Sequence, residues 1–223
     1  MKFRHEWKHE IAARDCLVLQ ARLDAVARRD THGDNGRYEV RSLYFDDPRD
    51  TALREKINGV NRREKFRLRY YNGDVSRICL EKKSKTDGLC AKASAGMNPW
   101  EVQSILKGDW SWMATDSRPL VSELYRAMRI KGLRPKTIVD YTRTAYTFPA
   151  GNVRVTLDHH IRTGLGGIDF LNPDCPTVPV GDGLVILEVK WDEFLPGVIR
   201  DAVQLKGRHT SAFSKYAACR SYG

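Results

Sequence analysis

The chain has 223 residues, and its 38 Lys and Arg residues outnumber its 28 Asp and Glu residues, which gives a formal net charge of +10. A hydrophobic fraction of 41 % is enough for a core and excludes a wholly disordered chain. No apolar run approaches the roughly 20 residues that cross a bilayer, and the charged N-terminus is unlike a secretory signal. We therefore expect one cytoplasmic domain over residues 1–223, with an anionic partner.

Period-two alternation and helical spacing predict ten elements along the chain. The Asp15–Arg29 helix has Asp15 available as a cap, Asn98 is expected to cap the helix at 99–107, and Gly132 and Pro135 are expected to end the helix at 119–128. In chain order the predicted elements are strand 3–10, helix 15–29, strands 37–46, 62–71 and 77–83, helices 99–107 and 119–128, and strands 136–147, 152–158 and 184–190.

The polar faces of these strands are unusually rich in arginine, lysine and carboxylates. In strand 62–71, for example, Arg63, Lys65, Arg67 and Arg69 share one face. A solvent-exposed face explains any single strand, but a closed antiparallel barrel with a charged ligand inside explains the set better. The expected fold is therefore α+β: a closed antiparallel β-barrel of about eight strands that forms a basic tunnel, with helices packed outside.

Seven short motifs occur in a fixed order along the chain. They are RSLYFD (41–46), REKFRLRY (63–70), LEKK (80–83), DYTR (140–143), VRVTLD (153–158), LEVK (187–190) and FSKY (213–216). In this order they resemble the VTC domain, the catalytic domain of vacuolar transporter chaperone polyphosphate polymerases. That domain belongs to the triphosphate tunnel metalloenzymes, or CYTH-like superfamily, whose antiparallel tunnel barrel agrees with the strand pattern.

The resemblance implies roles for individual residues. It implies that Glu188 holds a divalent metal, with Asp158 or Glu81 in support, and Mn²⁺ or Mg²⁺ is expected because both bind oxygen ligands and bridge phosphates. The catalytic basic residues are expected to be Arg67, Arg69, Lys83, Arg143, Arg154 and Lys215. Substrate binding is expected from Lys8, Lys92 and Lys190, together with Arg63 and Lys65 on the basic face.

The first strand departs from the hydrolase branch of the superfamily. That branch begins with E-x-E-x-K, whereas this chain has Arg4, Glu6 and Lys8 at the matching positions. The basic replacement favours a polyphosphate polymerase that transfers the γ-phosphoryl group of ATP to a polyphosphate chain. A tripolyphosphatase or nucleoside triphosphatase, and a non-catalytic polyphosphate-binding module, remain alternatives.

Nucleic acid is not expected as a partner, because the basic residues alternate inside strands and the aromatic signature of RNA-binding sheets is missing. The expected partners are ATP and polyphosphate or triphosphate. Eukaryotic family members carry an N-terminal sensing domain and a C-terminal membrane domain that this sequence lacks. Any coupling to a membrane is therefore expected to need a separate partner protein.

Overall fold

The computed structural model describes residues 4–86, 89–181, 183–205 and 213–222. Its strands are β1 (His5–Ile11), β2 (Arg28–Arg29), β3 (Arg37–Asp46), β4 (Arg63–Tyr71), β5 (Ile78–Thr86), β6 (Leu89–Met97), β7 (Arg134–Phe148), β8 (Val153–Thr163), β9 (Val178–Pro179) and β10 (Val185–Trp191). Its α-helices are α1 (Ala13–Val26), α2 (Thr51–Ile57), α3 (Pro99–Lys107), α4 (Pro119–Ile130), α5 (Gly197–Val203) and α6 (Lys215–Arg220).

Eight strands form one strongly curled antiparallel sheet in the order β1-β10-β8-β7-β3-β4-β5-β6. The short strands β2 and β9 pair with β7 and β8. The predicted closed barrel is wrong, because β1 and β6 stand at opposite ends of this order and, within the described residues, do not pair with each other. The sheet is therefore a half-barrel, and the predicted α+β class with outer helices is confirmed.

Two of the three hydrophobic cores explain how the helices cover the outside of the sheet. Helices α3 and α4 pack on β3, β4 and β5 through residues such as Val102, Leu124 and Leu68. Helices α1 and α5 pack on β8 and β10 through residues such as Leu19 and Ile199. Because side chains alternate along a strand, burying these apolar faces turns the charged faces towards the inside of the curl.

A third core fills part of the inside of the curl. It joins Val40, Tyr141 and Ile186 on the strands to Tyr216 and Cys219 on α6. The Tyr44 ring stacks on Tyr216 with the ring centroids 5.0 Å apart. The inside of the half-barrel is thus part apolar, against α6, and part charged.

Local signals predicted several elements well. Helix α3 has the predicted bounds, and Asn98 caps it by accepting a hydrogen bond from the Glu101 N–H at 2.9 Å, with the Glu101 carboxylate accepting from the Asn98 N–H at 2.8 Å. Helix α1 starts two residues before Asp15, whose carboxylate accepts from the Ala12 N–H at 3.3 Å. Strand β6 and helices α2, α5 and α6 were not predicted. Phe3, predicted to begin the first strand, lies outside the described residues.

In the part of the chain that the structure describes, no helix is both long enough and apolar enough to cross a membrane.

Candidate active site

Charged side chains line the inside of the half-barrel and form what we call the basic cleft. Among the described residues, its centre holds ten cationic side chains against five carboxylates, a surplus of five positive charges, and ion pairs and hydrogen bonds link most of these groups across strands. The cations are Lys8, Lys65, Arg67, Arg69, Lys83, Lys92, Arg143, Arg154, Lys190 and Lys215. The carboxylates are Glu6, Asp30, Glu81, Asp158 and Glu188.

Arg67 and Arg69 of β4 are held by hydrogen bonds to side chains of neighbouring strands. Arg67 donates to the Glu81 carboxylate at 2.7 Å and to the Tyr44 hydroxyl at 2.9 Å. Arg69 donates to the Ser42 hydroxyl at 3.0 Å and to the Tyr141 hydroxyl at 2.9 Å. These contacts fix the orientation of both guanidinium groups before any ligand binds.

Glu81 is a buried carboxylate surrounded by cations. Its second oxygen lies 2.5 Å from the Lys92 ammonium. Burial raises the pKa of Glu81, but Arg67, Arg69 and Lys92 outweigh it and lower the pKa to about 2. The carboxylate is therefore ionised at neutral pH and serves as the internal counter-charge for this part of the cleft.

Asp158 plays the same part between β7, β8 and α6. Its side chain is fully buried and accepts from Arg143 at 2.6 and 2.8 Å and from Lys215 at 2.5 Å. Burial opposes ionisation, yet Arg143 and Lys215 lower the pKa of Asp158 to about 2. Nearby on β8, Arg154 pairs with Asp30 and donates to the Tyr38 hydroxyl at 2.9 Å.

Strands β1 and β10 contribute a third group of charges around Glu188. One Glu188 oxygen lies 3.2 Å from the Lys8 ammonium and 3.1 Å from the Lys190 ammonium. Burial of Glu188 raises its pKa, but these lysines and the Arg143 guanidinium outweigh burial and hold the pKa well below its usual range. Glu6 lies 3.6 Å from Lys190 and 3.6 Å from Lys83, so it links β1 to β5 across the opening of the half-barrel.

The positive potential of the cleft also perturbs Lys65 and Tyr44. Burial, followed by the charges of Arg67 and Lys83, lowers the pKa of Lys65 to about 8. Burial raises the pKa of Tyr44, but Arg67, Lys65 and Arg69 more than offset it and lower that pKa to about 7. Both shifts favour the less positive form of the group, as expected where cations outnumber anions.

The carboxylates of the cleft differ in their ability to hold Mn²⁺ or Mg²⁺. Among the residues that the structure describes, no group of three or more His, Cys, Asp or Glu side chains could hold a metal ion. Both oxygens of Asp158 and both of Glu81 already contact cations. Glu188 and Glu6 both contact Lys8 and Lys190. These two carboxylates fit a metal that takes most of its oxygen ligands from bound phosphates.

Most of the predicted site residues lie together in the basic cleft, in one network with the three predicted carboxylates. Arg63 is the exception, because its guanidinium donates to the Val60 carbonyl at 2.5 Å at the exposed start of β4. Sequence analysis did not assign roles to Tyr38, Tyr44 and Tyr141, whose hydroxyls accept hydrogen bonds from cleft arginines. Their places on the inner face of β3 and β7 follow from strand alternation and could have been predicted.

The sequence profile of one protein family, described as the VTC domain, matches residues 3–222. The chain belongs to the VTC-domain family. Among solved structures, a candidate adenylate cyclase from Bacillus halodurans has 14 % identity and a TM-score of 0.53, with 85 % of this chain and 80 % of that chain covered. A Pyrococcus horikoshii protein has 12 % identity and a TM-score of 0.47, with 96 % and 94 % covered. No curated protein matches this VTC-domain chain.

The family match places this chain among the polyphosphate-related or triphosphate tunnel proteins, and the solved structure from Bacillus halodurans shares its fold. They indicate phosphoryl-transfer chemistry in general.

Proposed function

We propose that this VTC-domain protein transfers the γ-phosphoryl group of ATP to the end of a polyphosphate chain and releases ADP. The observation that carries the proposal is the surplus of positive charge inside the cleft, held on side chains whose positions are already fixed. A polyphosphate chain carries negative charge at every phosphate, so it matches an extended row of cations better than a compact anion does.

Phosphoryl transfer needs alignment and charge neutralisation rather than covalent chemistry from the protein. Arg67 and Arg69 are forked donors that can each bind two phosphate oxygens. Because neighbouring side chains already orient them, little reorganisation is needed when charge develops on the transferred group. Arg143 on β7 provides the same kind of forked donor, and Lys215 on α6 adds an ammonium donor beside it.

The surroundings of Glu6 favour a phosphate acceptor over water. Hydrolysis requires a base to take a proton from water, and Glu6 is a carboxylate in the first strand that could do so. Lys8, Lys83 and Lys190 surround Glu6 and, against the effect of burial and of Glu188, lower its pKa. A carboxylate with a lowered pKa is a poor base, whereas the terminal phosphate of a chain is already anionic and needs no base.

The one first-strand position that departs from the hydrolase branch, Arg4, lies apart from these lysines. Arg4 pairs with Asp192 at 2.9 Å and with the Asn152 carbonyl. The first carboxylate of the hydrolase pattern is therefore missing from the cleft, and the arginine in its place is directed to Asp192 instead. A bound Mn²⁺ or Mg²⁺ would neutralise phosphate charge, and Glu188 with Glu6 would hold it.

The test is to incubate the purified protein with ATP and Mn²⁺, with and without a polyphosphate primer. Polymer, ADP and free phosphate are measured in the same samples. We expect ADP and polymer phosphate to form in equal amounts, with little free phosphate. Arg118→Ala is the matched control, because it removes an arginine paired with Glu101 and Asp116 at 2.5 and 2.6 Å in the outer helical layer.

Each alternative function gives a different result in this assay. Free phosphate equal to ADP, with no polymer after priming, would replace the polymerase with a triphosphatase. Tight binding of polyphosphate without any ADP would indicate a binding module. Loss of activity in Arg67→Ala with retention in Arg118→Ala would place the reaction in the basic cleft.

A further inference from the structure

The inner face of β4 differs in chemistry between its two ends. Residues 63, 65, 67, 69 and 71 point to this face, and the register with β3 and β5 is continuous along it. Tyr71 and Arg63 are eight residues apart, which corresponds to about 26 Å along an extended strand. The cleft therefore has an end near Tyr71 and an end near Arg63 that are well separated.

The end near Tyr71 is aromatic. The Tyr71 side chain is 40 % exposed, and its ring makes an edge contact with Tyr38 at a centroid distance of 5.7 Å and an interplanar angle of 73°. The Tyr38 hydroxyl accepts from Arg154 at 2.9 Å, which fixes that ring. The Arg69 guanidinium lies 5.9 Å from the Tyr71 centroid, on the side of the cleft interior. The result is an exposed ring with a fixed aromatic neighbour and arginines behind it.

The end near Arg63 is cationic. Arg63 is the register partner of Lys85, and Lys65 is the partner of Lys83. Lys56 lies on α2, which packs against β4. Burial and then the charges of Arg63, Lys8, Lys85 and Lys83 lower its pKa. At least three elements thus bring positive charge to this end of the cleft.

We infer that ATP binds with its base stacked on Tyr71 and that the polyphosphate chain extends from the reaction centre towards Lys56. The inference rests on the proposed function and adds a direction to it. A base is a neutral aromatic group that stacks on exposed rings, and it carries no negative charge to pair with a row of lysines. A phosphate chain offers only negative oxygens, so it is held by the cationic end.

The spacing along β4 supports this direction. Arg69 lies one strand period from Tyr71, about 7 Å, and Arg67 lies two periods away, about 13 Å. A nucleotide stacked on Tyr71 would therefore present its successive phosphates to Arg69 and then to Arg67. Lys65 and Lys83 continue the same face, in register with each other, beyond the last phosphate of the nucleotide.

The first experiment compares the binding of ATP with that of inorganic tripolyphosphate by calorimetry, which requires no turnover. Tyr71→Ala is expected to weaken ATP binding about tenfold and to leave tripolyphosphate binding within about twofold, because only ATP has a base to stack. Tyr71→Phe should bind ATP like the wild type. Trp100→Ala is the matched control, since Trp100 is an exposed aromatic residue on α3, and it should bind both ligands normally.

Two outcomes would overturn the assignment of the base. One is unchanged ATP binding by Tyr71→Ala, and the other is an equal loss for ATP and tripolyphosphate. Circular dichroism and thermal unfolding of each variant separate a binding effect from a folding defect. Because the assay measures binding, failure to make polymer would count against the proposed function and leave this comparison intact.

The second experiment tests the direction of the chain with Lys56→Gln. We expect a several-fold loss of affinity for long polyphosphate, with a much smaller loss for ATP. An equal loss of affinity for both ligands, or a larger loss for ATP, would overturn the inferred direction of the chain. No loss for either ligand would remove Lys56 from the path of the chain.

Discussion

Replacing Asp158 by asparagine removes the carboxylate charge that contacts both Arg143 and Lys215. The asparagine side chain has nearly the same shape, so the perturbation is mainly electrostatic. The carboxylate is fully buried and contacts both cations at 2.5 to 2.8 Å. The substitution therefore leaves two largely buried cations without the carboxylate that they contact directly.

The size of the effect follows from the pKa of Asp158. Its pKa falls from an ordinary value of 3.8 to about 2, and each unit corresponds to about 1.4 kcal/mol, so the folded state favours the ionised carboxylate by about 2.5 kcal/mol. Removing one partner of a buried ion pair lowers the free energy of unfolding by about 3–5 kcal/mol, because the other partner stays buried and unpaired. We expect Asp158→Asn to lose about 2–5 kcal/mol of unfolding free energy at pH 7.

The pH dependence gives a sharper test than the loss at one pH. A lowered pKa in the folded state means that the contribution of Asp158 is complete above about pH 4 and disappears as the pH falls towards 2. Urea unfolding of wild type and variant should therefore show a gap that is full at pH 7 and shrinks in this acidic range. A gap below about 0.5 kcal/mol at pH 7, or one that is constant with pH, would refute the reasoning.

Asp140→Asn provides the matched control on the outer face of the sheet. Asp140 accepts from Arg41 at 2.9 and 2.8 Å in the same two-pronged geometry. Both variants should be destabilised, but tripolyphosphate should recover stability preferentially in Asp158→Asn, because phosphate oxygens can pair with Arg143 and Lys215. Equal recovery in the two variants would place the ligand outside the cleft.

Three further predictions concern the cleft itself. Arg67→Ala or Arg69→Ala should weaken tripolyphosphate binding by about tenfold or more and reduce its salt dependence in calorimetric titrations; unchanged affinity in both would exclude these arginines. Glu188→Gln should keep the wild-type circular dichroism spectrum and bind tripolyphosphate, but it should lose metal-dependent turnover. Full activity in this variant would instead make Glu188 a structural partner of Lys8 and Lys190. Burial raises the pKa of Tyr44, but Arg67, Lys65 and Arg69 lower it to about 7. Tyr44 should therefore show a phenolate absorbance near neutral pH, and Tyr44→Phe should remove this absorbance. Tripolyphosphate should raise this midpoint, and an unmoved midpoint would count against an anion beside Tyr44.

Strand alternation made the inner face of the sheet predictable from the sequence. In β4 the alternation places Lys65, Arg67 and Arg69 opposite Phe66 and Leu68, and the structure buries the apolar pair under the outer helices. The same rule could not predict whether the sheet closes. Closure depends on pairing between the first and last strands of the order, and β6 carries small residues such as Ala93 and Gly96 that gave no strand signal.

The partners of the charged residues were less predictable than the residues themselves. Arg154 was assigned from its motif, but its counter-charge Asp30 follows α1, far away in the sequence. Lys215 was assigned from its motif as a catalytic basic residue, but the sequence did not predict that its ammonium contacts the buried Asp158. Such pairs depend on register and on where a short helix docks, and neither property is encoded in a local pattern.

The ion pairs explain how one cleft can hold so many cations and still fold. Three buried carboxylates each contact two or more cationic side chains, and a fourth, Asp30, contacts Arg154 and His32. These carboxylates reduce the repulsion between neighbouring cations. The four carboxylates are Asp30, Glu81, Asp158 and Glu188. They do not balance the whole charge, and the remaining surplus is what a phosphate chain can neutralise. Under the proposed function, the chain would compete with fixed carboxylates for the same cations and would be held without being trapped, as a product that advances after every transfer requires.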